Sequence, residues 1–442
     1  MDGFKMDTLG YLRRTHYSNE IVPAVDATDV VIFGIVASIR EHGKLTFLIL
    51  EDTKGLVQVT IHKNNVPESV VAKLKEIQEQ SFVGIRGKVK STEKAPHGAE
   101  IVPDEIKVLS IPHCLAPFKL YKQRLPNIEK RLDLRAIDLR RPQPKAIFKI
   151  KHVALQSIRS FFSGQGYLEV ETPKIISTAT EGGAALFPLL YYNKEAFLAQ
   201  SPQLYKEQLV GALEKVFEIG PIFRAERSRT MKHLSEATSV DLEEAYVNYE
   251  DVMKTLERVI TFTIAEVLDK CKDELSLLKV KLKVPQMPFK SYTYDEILKL
   301  LSDEAIEVTW GNDLFVSELK ALEKKLPDFY FIKDWPTSSK AFYLKAKDDK
   351  PEICESFDLM HGSLEISSGG SRIDQKQALV EKLKERSFDP AAFEYHLKVF
   401  DYGMPPHAGF GFGLDRLMMV LCKQKNIREV VLYPRDQRRL IP

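Results

Sequence analysis

One stretch near the C-terminus, AGFGFGLDRLMMV (residues 408–420), limits the possible folds more than any other. Gly409, Gly411 and Gly413 alternate with Phe410 and Phe412. Side chains on a strand alternate between faces, so one face is bare backbone and the other an aromatic core surface. From Leu414 the spacing becomes helical, which puts Gly413, Leu414 and Asp415 at a strand-to-helix junction with Arg416 in the first turn. A flat ligand fits the bare face with Arg416 over it, and close helix–sheet packing would ask for the same glycines. The spacing is not G-x-G-x-x-G and no Walker A sequence occurs, so any phosphates would be held by arginines.

A second segment, VFEIGPIFRAERSRTMKHLSEATSVDLE (residues 216–243), reads as two strands joined by a long basic loop. Arg224 and Glu226, two apart, share a strand face. An arginine there can clamp a carboxylate or phosphate bidentately while the acid steadies its fork. Arg227, Arg229, Lys232 and His233 would then cover a polyphosphate; the other reading is a surface face of salt bridges.

In ESFDLMHGSLEISSGG (residues 355–370), a turn at His361 and Gly362 would set Asp358 opposite Glu365. Like charges about 5 Å apart on a sheet repel, and a divalent cation between them reverses the sign. Oxygen ligands suit magnesium. Two carboxylates on a solvated sheet face is the alternative. TEGGAALF (residues 180–187) is a glycine-rich acidic loop, and AQSPQLYKEQL (residues 199–209) sets Gln200, Ser201, Gln203 and Lys206 in apolar surroundings.

A chain of 442 residues allows two or three domains. Residues 29–110 hold five strand-like runs and a helical stretch near PESVVAKLKEIQEQ, which suits a small closed barrel of oligonucleotide-binding type. We divide the chain into a barrel domain (1–110), a proline-marked linker or hinge (111–144) and an α+β domain on a mainly antiparallel sheet flanked by helices (145–442). The charged middle of the hinge reads equally well as a solvated helix. A net charge of +2 is too small to attract nucleic acid unless it is gathered into a patch. The four cysteines form no Cys-x-x-Cys pair, and no apolar run suits a signal sequence or a membrane span. We expect a cytoplasmic protein.

Three segments together resemble the signature motifs of class II aminoacyl-tRNA synthetases: the helix and strand ending at Pro173, the FRAE hairpin, and GFGFGLDR. The barrel and the hinge RLDLRAIDLRRP resemble the aspartyl, asparaginyl and lysyl subgroup. QSPQLYK, TATEGGAALF and SLEISSGGSRI resemble the archaeal type of aspartyl enzyme. The resemblance covers essentially the whole chain. It implies an N-terminal OB-fold and a class II catalytic domain that activates aspartate with ATP and transfers it to tRNA(Asp).

The resemblance also assigns residues. Glu181, Gln203 and Asp241 would bind the substrate ammonium, with Ser201 shaping that pocket, and Lys206 and Arg372 would pair with the side-chain carboxylate. Arg224 would hold the α-carboxylate and α-phosphate, Glu226 the adenine edge, and His233 and Arg416 the γ-phosphate and adenine flank. Lys232, Leu234, Gly413, Leu414 and Asp415 complete the ATP-binding set. Glu365, with Asp358 or Ser368, would bind Mg2+, and Ser368 also borders the aspartate site. In the barrel, Phe47 and Gln58 would be cross-strand neighbours contacting an anticodon base, with Glu100 as a third contact. Catalysis would rest on Arg224, Arg416 and Glu365, and the unit would be a homodimer. Two uncompensated cations, Lys206 and Arg372, favour a carboxylate over an amide in the pocket. Ile35 follows Gly34 where tryptophan is frequent, which leaves tRNA(Asn) as a second substrate. The rivals are an asparaginyl-tRNA synthetase and an inactive tRNA-binding paralogue.

Overall fold

The computed structural model describes residues 6–114, 116, 118, 126–178, 186–226 and 230–442, and divides into two units, 1–125 and 126–442. Glu181, Arg227 and Arg229 lie outside the described residues.

In the first unit, β1 (Asp29–His42), β2 (Leu45–Glu51), β3 (Leu56–His62), β4 (Phe82–Ser91) and β5 (Ala99–Ser110) close into a barrel of order β1-β2-β3-β5-β4. Strand alternation fills it: Val30, Ile32, Leu48, Leu50, Val57, Val59, Ile61, Ile85 and Ile101 are all buried in one cluster. The turn after β2 is held by Asp52, whose Oδ1 accepts from the backbone N–H of Lys54 and Gly55 and from the Ser18 hydroxyl. The helix expected near residue 68 is short, Glu68–Lys73.

The second unit carries β6 (Leu168–Glu169), a small sheet of β7 (Ile175–Ile176), β8 (Pro188–Tyr191) and β9 (Lys194–Leu198), then β10 (Lys215–Phe223), β11 (Glu236–Ala245), β12 (Lys290–Thr293), β13 (Phe329–Lys333), β14 (Ser356–His361), β15 (Leu364–Ser371) and β16 (His407–Gly413). The main sheet has eight strands in the order β12-β13-β14-β15-β16-β11-β10-β6, antiparallel except at its two ends. Pro173 separates β6 from β7, since proline cannot donate to a ladder.

Two long helices cover one face of this sheet. Pro142–Gly164 starts with proline, which is tolerated in a first turn, and buries Ile147, Ile150, Ala154, Ile158 and Phe162 at helical spacing. Tyr249–Lys270 is capped by Asn248, which accepts from the N–H groups of Glu250 and Asp251, and it buries Val252, Leu256, Val259, Ile260 and Val267. Both stripes meet Phe217, Phe331, Phe357, Phe410 and Phe412 in one core. Each buried side chain of that size contributes about 1.5–3 kcal/mol. The helix Gln203–Leu213 covers part of the other face, where Val210 is buried against Val216 and Ala245.

Residues 126–144 fall within the second unit. The helices Ile128–Asp133 and Arg135–Asp138 bury three arginines, Arg131, Arg135 and Arg141, around the carboxylate of Asp138, and Arg131 also pairs with Glu429 at 2.7 Å.

Candidate active site

The sheet face away from the two long helices lines a cavity of ≈ 290 Å³ that gathers Ser201, Gln203, Arg224, Glu226, Lys232, His233, Leu234, Asp241, Glu365, Ser368, Arg372, Gly413, Asp415 and Arg416. Residues from β10, β11, β15, β16 and the helix Gln203–Leu213 therefore converge as the sequence reading expected. Lys206, Leu414 and Asp358 do not line it.

The alternating glycines have a more specific cause than a flat ligand. Gly411 is the ladder partner of Asp241 and Gly409 that of Glu243. A Cβ on Gly409 would meet Glu243 Oε2 at 2.2 Å, and one on Gly411 would meet Asp241 Oδ1 at 2.9 Å. The bare strand thus makes room for two buried acids of its neighbour. Phe410 and Phe412 point into the core, at 0% and 1% exposure, as alternation requires.

Those acids change the expected charge balance. Lys206 Nζ lies 3.1 Å from Asp241 Oδ1 and 3.3 Å from Glu243 Oε2, and donates to the carbonyls of Leu242 and Phe410. Arg372 Nε donates to Glu243 Oε1 at 2.8 Å, and its Nη2 to Glu243 Oε2 and to Gln203 Oε1. Two cations thus face two carboxylates, with Arg372 and Asp241 lining the cavity and Lys206 and Glu243 beneath them. The expectation of uncompensated charge is corrected: Glu243, on the same face as Asp241 but not singled out from the sequence, joins Asp241 in neutralising the pair. The signal was present in VDLEEA, where acids two apart interrupt an apolar strand. Lys206 serves as a buried brace, while Arg372 lines the cavity and stacks on Tyr343 at 5.3 Å. Asp241 also accepts from Ser239 Oγ.

At the other end of the cavity, β10 stops at Phe223, so Arg224 and Glu226 sit just beyond the strand rather than on it. The hairpin continues one step, with Arg224 N–H donating to Ser235 C=O. The guanidinium and the Glu226 carboxylate are 3.9 Å apart, both about two-fifths exposed. Arg416 donates from Nη1 to the Glu365 carbonyl at 2.9 Å and lies 3.3 Å from its carboxylate. Burial, then Arg416, depress the His233 imidazole below its usual range, and Thr230 Oγ1 contacts its Nδ1. Lys232 reaches the Ser363 carbonyl, and burial with nearby Lys320 and Arg416 lowers its pKa. Asp415 braces the junction by accepting from Lys151 Nζ at 2.6 Å and from Thr238 N–H.

The β14–β15 register differs from the expected one. Gly362 and Ser363 form the turn, and a bulge between Leu359 and Met360 shifts the pairing by one more residue. Asp358 therefore faces Ser368, and Glu365 faces Met360. The trio is nevertheless local. Asp358 is buried with Oδ2 held 2.6 Å from Lys340 Nζ, and its Oδ1 has no hydrogen-bond partner. Burial, reinforced by Glu365, pushes this carboxyl up to about 6 even with Lys340 alongside. An orphaned anionic oxygen next to a half-exposed carboxylate fits a hard cation. Among the described residues no group of three or more His, Cys, Asp or Glu is placed to hold a metal ion. Lys340, whose ammonium also sits 3.8 Å over the Trp335 ring, was not anticipated.

On the barrel, Phe47 faces Thr60 and Ile49 faces Gln58, so Phe47 and Gln58 are diagonal neighbours rather than direct partners. They share the face away from the core, and Gln58 Nε2 and Thr60 Oγ1 both donate to Glu100 Oε2.

Arg224, Arg372 and Arg416 thus border a cavity on an eight-stranded, mainly antiparallel sheet. That arrangement defines the catalytic core of a class II aminoacyl-tRNA synthetase. Residues 127–437 match the family model of class II tRNA synthetases (D, K and N), and residues 30–109 match that of the OB-fold nucleic acid binding domain. The chain belongs to this class II synthetase family. It is 45% identical over 427 residues to an aspartate–tRNA(Asp/Asn) ligase of Archaeoglobus fulgidus, covering 96% of this chain and 99% of that one. A Methanothermobacter thermautotrophicus ligase of the same description is 44% identical over 98% of this chain and 100% of its own. Among solved structures, asparaginyl-tRNA synthetase from Pyrococcus horikoshii with asparaginyl-adenylate superposes with TM-score 0.92 at 33% identity, covering 98% of this chain and 100% of that one. Entamoeba histolytica aspartyl-tRNA synthetase gives 0.85 at 29%, covering 99% and 96%.

Proposed function

We propose that this enzyme activates L-aspartate with ATP and transfers it to tRNA(Asp) and to tRNA(Asn). The single observation carrying the reading is Arg372, a buried guanidinium at the cavity wall held in place by Glu243 and Gln203. It leaves a planar donor edge toward the side chain of a bound amino acid, and such an edge prefers a carboxylate. The same likeness to asparaginyl structures would suit an amide substrate. Identity of 43–45% to aspartate–tRNA(Asp/Asn) ligases over nearly the whole chain favours aspartate and both tRNAs.

The α-carboxylate attacks the α-phosphate in line, giving aspartyl-adenylate and pyrophosphate, and the terminal ribose hydroxyl of tRNA then takes the aspartyl group. No side-chain nucleophile is needed; positioning and electrostatic stabilisation account for the rate. Arg224 receives the α-carboxylate and α-phosphate, Glu226 the adenine edge, and Arg416 with His233 and Lys232 the outer phosphates, while Leu234 and Gly413 frame the base; Leu414, wholly buried in the core, takes no part. Asp241, Gln203 and Glu181 receive the ammonium, and Ser201 and Ser368 border the pocket. Lys206 acts through the two acids it braces. Glu365, Asp358 and Ser368 would hold Mg2+, which when bound neutralises phosphate charge. Phe47, Gln58 and Glu100 would meet an anticodon base, and the assembly is a homodimer.

ATP–pyrophosphate exchange with aspartate against asparagine, followed by charging of each purified tRNA, tests this reading. Exchange driven by asparagine alone would overturn the amino-acid assignment. Charging of tRNA(Asn) far slower than of tRNA(Asp) would remove the dual specificity.

A further inference from the structure

Behind Gln203 lies a buried acid that the proposed chemistry does not use. Glu207, one helical turn further along Gln203–Leu213, is 1% exposed and lies between two histidines that are wholly buried. His396, from the helix Glu394–Phe400, sits with Nε2 3.3 Å from Glu207 Oε2, and His407, at the head of β16, with Nε2 4.0 Å away.

Their other nitrogens fix the protons. Gln208 Nε2, anchored by donating to Leu204 C=O, meets His396 Nδ1 at 3.3 Å, which makes that nitrogen an acceptor and leaves the proton on Nε2. His407 Nδ1 lies 2.8 Å from the Pro405 carbonyl, which can only accept, so Nδ1 carries a proton. A neutral His407 would aim a lone pair at the Glu207 carboxylate; an imidazolium aims a proton. Neither Nε2 has any hydrogen-bond partner besides this carboxylate's field.

The amide of Gln203 is oriented by the same acid. Its Nε2 donates to Glu207 Oε1 at 2.6 Å, and its Oε1 accepts from Arg372 Nη2 at 3.3 Å. Glu207 can only accept and Arg372 can only donate, so no other amide orientation satisfies both. The groups facing this acid are His396, His407, Arg372, Gln203 and Tyr395; Glu243 also faces His407. With His407 protonated, Lys206, Arg372 and His407 balance Asp241, Glu243 and Glu207.

We propose that Glu207, with His407 as its buried counter-ion, is a positioning residue that fixes Gln203 and hence Arg372 for the amino-acid substrate. This rests on the aspartate-activating reading. Burial opposes the imidazolium, but Glu207 and Glu243 outweigh it and raise the His407 pKa, in keeping with the geometry.

Glu207→Gln can donate as well as accept, so the Gln203 amide loses its unique orientation. The expected result is a KM for aspartate raised about tenfold to a hundredfold, with kcat within about threefold and the KM for ATP unchanged. An unaltered aspartate KM, or a fall in kcat alone, overturns the proposal. Should the variant not fold, 15N-histidine spectra of the wild-type enzyme decide. Among its ten histidines, an imidazolium persisting at pH 7.5 without substrate supports the ion pair, and spectra with every ring neutral overturn it. Wild-type enzyme without aspartate-dependent exchange would refute the functional reading instead, and the spectra would still report on the ion pair.

Discussion

Replacing Lys206 by methionine tests how the chamber is held together. The side chain is 3% exposed, and its ammonium has four oxygens within 3.3 Å: Asp241 Oδ1, Glu243 Oε2, Leu242 O and Phe410 O. Methionine keeps the volume but donates nothing. Each carboxylate contact at about 3.2 Å is worth about 5 kcal/mol gross at an effective dielectric near 20, most of which repays desolvation. Removing one partner of a buried pair leaves an uncompensated charge and costs about 3–5 kcal/mol. For a unit of this size that corresponds to a fall in Tm of about 5–8 °C. Thermal and urea melts of Lys206→Met, Asp241→Asn and the double variant measure it. The double variant should recover about 2 kcal/mol relative to the sum, because the stranded acid has gone. A Lys206→Met melt within about 2 °C of wild type, or strict additivity, would refute the brace. Lost aspartate-dependent exchange in this variant would report a disordered chamber, so the melt must accompany it.

Other outcomes follow from single contacts. Gly409→Ala should fail to form the chamber, since its Cβ would lie 2.2 Å from both Glu243 Oε2 and the Leu242 carbonyl, whereas Gly413→Ala, whose nearest neighbour is the movable Arg416 side chain at 3.5 Å, should fold; circular dichroism melts compare them. Asp138→Asn strips charge from an acceptor shared by three buried arginines and should cost about 3–5 kcal/mol in denaturant titration. Phe47→Ala should lower kcat/KM for tRNA by about tenfold, in line with one lost stacked base, while leaving tRNA-independent pyrophosphate exchange intact. The raised His407 pKa stabilises the fold fully below about pH 6.5, and that contribution is lost as pH rises through the folded value. The melting difference between wild type and Glu207→Gln should therefore shift against the wild type from pH 6 to pH 9.

The sequence determined the local periodicities and their chemistry. Alternating glycine and phenylalanine dictated a strand with one bare face, prolines ended elements, and apolar stripes at helical spacing defined the two long helices. Arg224, Glu226 and Arg416 stood out from their places in such elements, and Arg372 only through the resemblance of its segment to the aspartyl enzymes. Pairing belonged to the tertiary structure. The bulge between Leu359 and Met360 and a turn one residue later moved Asp358 from opposite Glu365 to opposite Ser368, because register depends on turn geometry that composition does not specify. Phe47 and Gln58 are cross-strand neighbours on one face as expected, and the ladder makes the pair diagonal, with Phe47 opposite Thr60. The same limit hid Lys340 and Glu207. Each is an unremarkable charged residue in the linear chain, and only the folded neighbourhood, which excludes water and brings opposite charges from distant strands within about 3 Å, turns it into part of a site.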